Sequence, residues 1–105
     1  MIELKKEFTR KGVQFKQMFK NAKVVIYRLS RTYDNGITSI WYEVFKNRIH
    51  LPDKYHYDSY EVYPFDEAFG DWAWCCSSLK SLEKIVKREF PDDMDAITSC
   101  LSLGA

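Results

Sequence analysis

The sequence is short of the residues that most often announce chemistry. Its four glycines stand alone at positions 12, 36, 70 and 104. They assemble neither a phosphate-cradling loop nor a dinucleotide fingerprint. Histidine occurs twice, at His50 and His56, with five residues including Pro52 between them. Zinc ligands recur at closer spacing because they must converge within a few ångströms, so a site drawing on these histidines with Cys75 and Cys76 is not expected. A Cys–His nucleophile pair fails for the same reason, since nothing in the spacing brings thiol and imidazole together. The three cysteines, an odd number, suit a reducing compartment. Cys75 and Cys76 are neighbours, so a strand would point them to opposite faces, and they read as buried structural thiols. No stretch approaches the roughly 18 apolar residues that span a bilayer. The opening Met1-Ile2-Glu3-Leu4-Lys5-Lys6-Glu7 lacks the apolar run of a secretory signal. The expectation is a soluble, cytoplasmic chain with no membrane partner.

Aromatic residues are abundant: seven Phe, seven Tyr and three Trp make 16% of the chain, a density that favours sheets. A hydrophobic fraction of 46% with net charge +1 excludes wholesale disorder. The 105 residues are read as one globular domain, 1–105, large enough for a real core without staples.

Periodicity organises the chain as α+β. Val13 to Lys20 alternates as a strand, with Val13, Phe15 and Phe19 on one face and the lysines on the other. Ala22 to Leu29 is rich in β-branched and aromatic residues and reads as a second strand, with Val25, Tyr27 and Leu29 facing the core and Arg28 outward. Asn35-Gly36 supplies the positive φ of a tight hairpin turn. Ile37 to Lys46 returns, with Ile40, Tyr42 and Val44 on one side and Ile37, Trp41 and Phe45 on the other. Tyr60 to Tyr63 pairs as a short strand with residues 48–51, and the rest of 47–71 is an ordered loop. Trp72 to Cys76 is a last strand or the lead-in to a helix. That helix is capped by Ser78, carries the stripe Leu79, Leu82, Ile85, Val86 and Phe90, and stops at Pro91. A shorter helix runs through Met94, Ile97 and Leu101 to a frayed end at Gly104-Ala105. The predicted architecture is an antiparallel β-meander of three to five strands, with one main C-terminal helix packed on it and a short terminal helix.

Charge is unevenly placed. Residues 1–31 hold nine Lys or Arg against Glu3 and Glu7, and residues 50–78 hold only Lys54 against six acids. Two surfaces follow. The tyrosine-rich acidic loop from Lys54 to Asp71 suits a protein partner, with Tyr55, Tyr57, Tyr60 and Trp72 as anchors and Glu61, Asp66 and Glu67 facing a basic surface. Asp66 and Glu67 are adjacent and diverge, so they read as turn residues, not as an acid–base pair. The alternative is nucleic-acid binding, with Lys16, Lys20, Lys23, Arg28 and Arg31 lining one face of the meander beside Phe15, Tyr27, Tyr33 and Trp41. A pI near 7.7 lies below the usual basic signature of such proteins. Protein binding leads, without catalytic residues, metal or cofactor. Monomer and homodimer are equally compatible.

Trp41-Tyr42-Glu43-Val44-Phe45, Tyr63-Pro64-Phe65-Asp66-Glu67-Ala68-Phe69-Gly70 and Trp72-Ala73-Trp74 together resemble small uncharacterised proteins of phages and mobile elements in Bacteroides-like bacteria. The resemblance covers about a third of the chain and carries no assigned chemistry, so no functional residue transfers. It implies a small accessory protein, a class that includes anti-defence inhibitors acting by binding a host protein.

Overall fold

The run Val24-Val25-Ile26-Tyr27 is apolar at every position, and a strand can hide such a run only when both faces of its sheet are covered. The computed structural model, which describes residues 1–101, meets that condition. Strands β1 (Glu7–Arg10), β2 (Val13–Lys20), β3 (Val24–Thr32) and β4 (Thr38–Lys46) form an antiparallel meander. A two-stranded ribbon of β5 (Ile49–His50) and β6 (Tyr60–Glu61) follows. Strand β7 (Ala73–Cys76) then returns to the sheet beside β4, giving the order β1-β2-β3-β4-β7. Strand β1, not expected from the sequence, is joined to β2 by Lys11-Gly12, whose φ angles of 51° and 78° are those of a tight hairpin.

One face of the sheet is covered by helices. Helix α1 (Leu79–Glu89) starts at Ser78, whose Oγ accepts from the Ser81 N–H, and ends before Pro91. After a 3-10 turn at Pro91–Asp93, helix α2 (Met94–Leu101) lies against β2. Leu82, Val86, Phe90 and Ile97 meet Val24, Ile26, Val44 and Cys76 in one buried core. Leu79, in the first turn of α1, leaves the predicted stripe: it is 40% exposed. The expected frayed end at Gly104-Ala105 lies outside the described residues.

The opposite face is covered by the excursion between β4 and β7. Phe15, Val25, Tyr27, Leu29 and Phe45 are sealed there by Ala68, Trp72 and Ala73, with Phe8, Val62, Tyr63 and Phe69 around them. Tyr63 occupies the centre, edge-on to Phe8, Phe15, Tyr27 and Phe45 with ring centroids 5.1–5.9 Å away.

Strand β2 corrects the simple alternation. Its register with β3 shifts between Gln17 and Phe19. This bulge adds a residue and turns the strand over. Phe15 therefore packs under the excursion, whereas Met18 and Phe19 pack under the helices, so Val13, Phe15 and Phe19 do not share a face. The cysteines need a second correction: Cys76 is buried, but Cys75 is exposed on the other face of β7.

Candidate functional site

The chain leaves the sheet at Asn47 and returns at Ala73, and the first part of this excursion stands out as an arm. Its base is fastened by a carboxylate. Glu61 is 7% exposed and accepts from Lys20 Nζ at 2.9 Å, from the Leu4 backbone N–H at 2.9 Å and from Asn47 Nδ2 at 3.2 Å. Burial pushes the Glu61 carboxyl up, but these three donors outweigh it and hold the group below its ordinary range. The Lys20 ammonium is raised in turn, chiefly by its hydrogen bond to Glu61.

Beyond the base, β5 and β6 pair Ile49 with Glu61 and His50 with Tyr60. The connecting turn closes on Asp53, whose Oδ1 accepts from the N–H groups of Tyr55 and His56, both at 2.8 Å. Those bonds, the Tyr55 one foremost, lower the Asp53 carboxyl. The imidazoles of His50 and His56 come to 3.6 and 3.3 Å from the same carboxylate and stand 5.7 Å apart between ring centroids. Tyr60 stacks on His50 at 4.8 Å. The histidines that the spacing kept apart are thus brought together, because the turn doubles back across Pro52. They meet Asp53 and Tyr60, and neither forms a hydrogen bond with a thiol. Among the described residues no group of three His, Cys, Asp or Glu side chains is disposed to hold a metal.

A closed turn with a polar interior leaves its apolar side chains outside. Tyr57 is 97% exposed, Tyr55 75%, Leu51 72% and Ile49 49%, all within nine residues. Lys54 Nζ lies 5.0 Å from the Tyr55 ring centroid. Phe65, 70% exposed, precedes the 3-10 turn Asp66–Ala68, on which Asp66 and Glu67 are solvent-facing.

Of the seven residues expected to meet a protein partner, Tyr55, Tyr57, Asp66 and Glu67 are exposed. Tyr60 is half-buried in the histidine stack. Glu61 and Trp72 are withdrawn from the surface: Glu61 closes the base of the arm, and Trp72, 8% exposed, lies against Phe45 with Arg48 over its ring at 4.5 Å. Phe65 lies within the expected loop, whereas Ile49 and Leu51 were not anticipated. Their only signal was large apolar residues in a stretch without periodicity, which is equally the signal of a covered loop.

The five cations proposed for nucleic acid do not line one face. Lys16 and Arg28 are direct neighbours across β2 and β3 on the helix-side face. The β2 bulge turns Lys20 to the opposite side, where Glu61 and Glu3 engage it. Lys23 stands in the β2–β3 turn, and Arg31 sits 5.4 Å from the Tyr33 ring centroid on the face away from Arg28. Phe15 and Tyr27 are buried, so they offer no stacking platform.

Two other polar groups sit half-buried beside the arm-side core. Glu43 accepts a hydrogen bond from the Tyr63 hydroxyl, and burial raises its carboxyl although that bond and Arg10 oppose the shift. The Tyr63 hydroxyl is driven far upward, first by burial and then by the Glu43 charge. Cys75 pairs with Glu43 across β7 and β4. Partial burial and that carboxylate push its thiol up, and burial pushes Cys76 up to about 11. Neither thiol is tuned toward the thiolate that a nucleophile needs. No protein-family model, curated protein sequence or solved structure matches the chain. The fold defines an α+β domain with an antiparallel five-stranded sheet and two helices, and no helix among the described residues is long and apolar enough to cross a membrane.

Proposed function

We propose that this chain is a non-enzymatic protein-binding module whose docking surface is the arm tip, with Tyr55 and Tyr57 as anchors beside Leu51 and Ile49. The observation that carries the reading is exposure: four large apolar side chains stand 49–97% free of their own fold on a turn that is otherwise hydrogen-bonded shut. Tyrosines held on a closed turn lose little freedom on binding and offer broad contact area with a polar tip. The exposed Asp66 and Glu67 on the same excursion suit a partner whose rim is basic. The raised Cys75 and Cys76 thiols support binding over thiolate catalysis. Within that class we favour an accessory protein of a phage or mobile element, an anti-defence inhibitor that blocks a host protein by occupying its surface.

The double variant Tyr55→Ser, Tyr57→Ser tests the surface, because neither side chain supports the fold. Its circular dichroism and melting temperature are expected to match the parent. Partner capture, read by a photo-crosslinker at position 54 and mass spectrometry, is expected to disappear. A folded double variant that captures the same protein as the parent would overturn the assignment. Tyr60→Ala is the wrong probe, since it also removes the stack on His50.

A further inference from the structure

The helices cover only part of their face of the sheet. They sit over Met18, Phe19, Val24, Ile26 and Val44, whereas Glu7, Thr9, Gln14 and Lys16 on the rest of β1 and β2 are exposed, and Arg28 and Ser30 on β3 are half-buried. On that half runs a row in which Glu7, Lys16 and Arg28 are successive cross-strand neighbours. The next row is Thr9, Gln14 and Ser30. The two rows line a groove of about 390 Å³.

Lysines commonly guard exposed sheet edges against strand addition. That account does not reach Lys16 and Arg28, which lie on the second strand and the central strand of five. Like charges directly opposite on adjacent strands repel, with Cβ atoms roughly 5 Å apart. Neither cation has an ion-pair partner among the described residues, and Glu7, although opposite Lys16, is not within 4.0 Å of it. Arg28 is half-buried, so part of its side chain is packed against the sheet. An anion seated between the two would convert their repulsion into two charge-assisted bonds, and the fork of Arg28 matches the paired oxygens of a phosphate. The amide of Gln14 and the hydroxyls of Thr9 and Ser30 supply neutral donors one row away.

We infer that this groove is a binding site for a phosphate ester, held between Lys16 and Arg28 and oriented by Gln14, Ser30 and Thr9. The inference is independent of the arm, which projects from the opposite face. It also redraws the basic surface: Lys16 and Arg28 belong to it, and Lys20, Lys23 and Arg31 do not.

The test is a backbone-amide NMR titration at low salt with inorganic phosphate, a nucleoside 5′-monophosphate and a short oligothymidylate as separate probes. Saturable shifts are expected at Gln14, Lys16, Arg28 and Ser30 with phosphate alone. The double variant Lys16→Gln, Arg28→Gln is expected to weaken binding roughly tenfold or more, and Lys23→Gln to leave it within about twofold. Oligothymidylate binding far more tightly than the monophosphate, with steep salt dependence, would identify a polynucleotide backbone as the source. Equal affinities would identify a small phosphate ester. The wild-type shift map stands even if the double variant does not fold. Absence of saturable shifts at millimolar phosphate, shifts centred elsewhere, or an equal loss in Lys23→Gln would each overturn the site.

Discussion

Glu43, half-buried, and Glu61, buried, lie on the same side of the sheet and are shifted in opposite directions. Glu61 has three donors, one of them charged, so its ionised form is the one the fold stabilises. A carboxyl depressed on folding stabilises the native state above its unfolded pKa, and that stability drains away as pH falls through the folded value. Acid below the ordinary carboxyl range should therefore release the base of the arm. Glu61→Ala strands the Leu4 N–H and the Asn47 amide and should cost roughly 2–4 kcal/mol in urea denaturation at neutral pH. Glu43 has one neutral donor, the Tyr63 hydroxyl, and burial dominates. A carboxyl raised on folding stabilises the native state when protonated, and that contribution is lost as pH rises through the folded value. Glu43→Gln keeps an acceptor for Tyr63 and sheds the charge. The variant should be more stable than the parent at neutral pH, with the advantage shrinking toward pH 4, as paired thermal melts would show.

At the scale of elements, three local devices decide where each segment goes. The Ser78 cap satisfies the Ser81 N–H at the start of α1, and Ser78→Ala should cost about 1 kcal/mol. The helix is held to the sheet by Leu82 and Val86, both fully buried, so Leu82→Ala should cost roughly 2–5 kcal/mol and dominate any cap effect. The third device is the β2 bulge. It lets one strand feed both cores, sending Phe15 to one face and Phe19 to the other, and it is what places Lys20 within reach of Glu61. A β2 without the bulge would set that ammonium among the helices, and the base of the arm would lose the cation that pairs with Glu61.

The whole molecule is a sheet between two unlike covers. The helix side is closed, over the part that holds Met18, Phe19, Val24, Ile26 and Val44, by regular structure with a strong amphipathic stripe. The arm side is closed by an excursion that packs through aromatic rings and a few buried polar contacts. Cooperative protection should follow that division. In native-state hydrogen exchange, β3 amides, backed on both faces by residues such as Val24, Val25, Ile26 and Tyr27 at 0% exposure, should open only with global unfolding. Amides from Ile49 to Ser59 should exchange orders of magnitude faster, because little apolar area closes the arm tip. Equal protection in the two regions would show that the arm is an integral part of the core.

Much of this was legible in the residues. Period-two alternation over 13–46, Asn35-Gly36 at a hairpin, Ser78 ahead of a 3.6-residue stripe and Pro91 at its end are local signals, and local backbone preference together with burial of one face is enough to read them. The alternation of apolar residues on both sides of β4 even indicated that both faces of the sheet are covered. Tertiary structure decided what covers each face, and with it the surface that remains. Trp72 and Glu61 sit inside and Tyr57 outside because contacts with Arg48, Lys20, Asn47 and Asp53 choose among chemically similar residues in a stretch without periodicity. The approach of His50 to His56, the register that sets Lys16 beside Arg28, and the bulge that removes Lys20 from them are likewise products of long-range pairing. A single strand's pattern specifies which side chains alternate; only its neighbours in the folded sheet determine which of them meet.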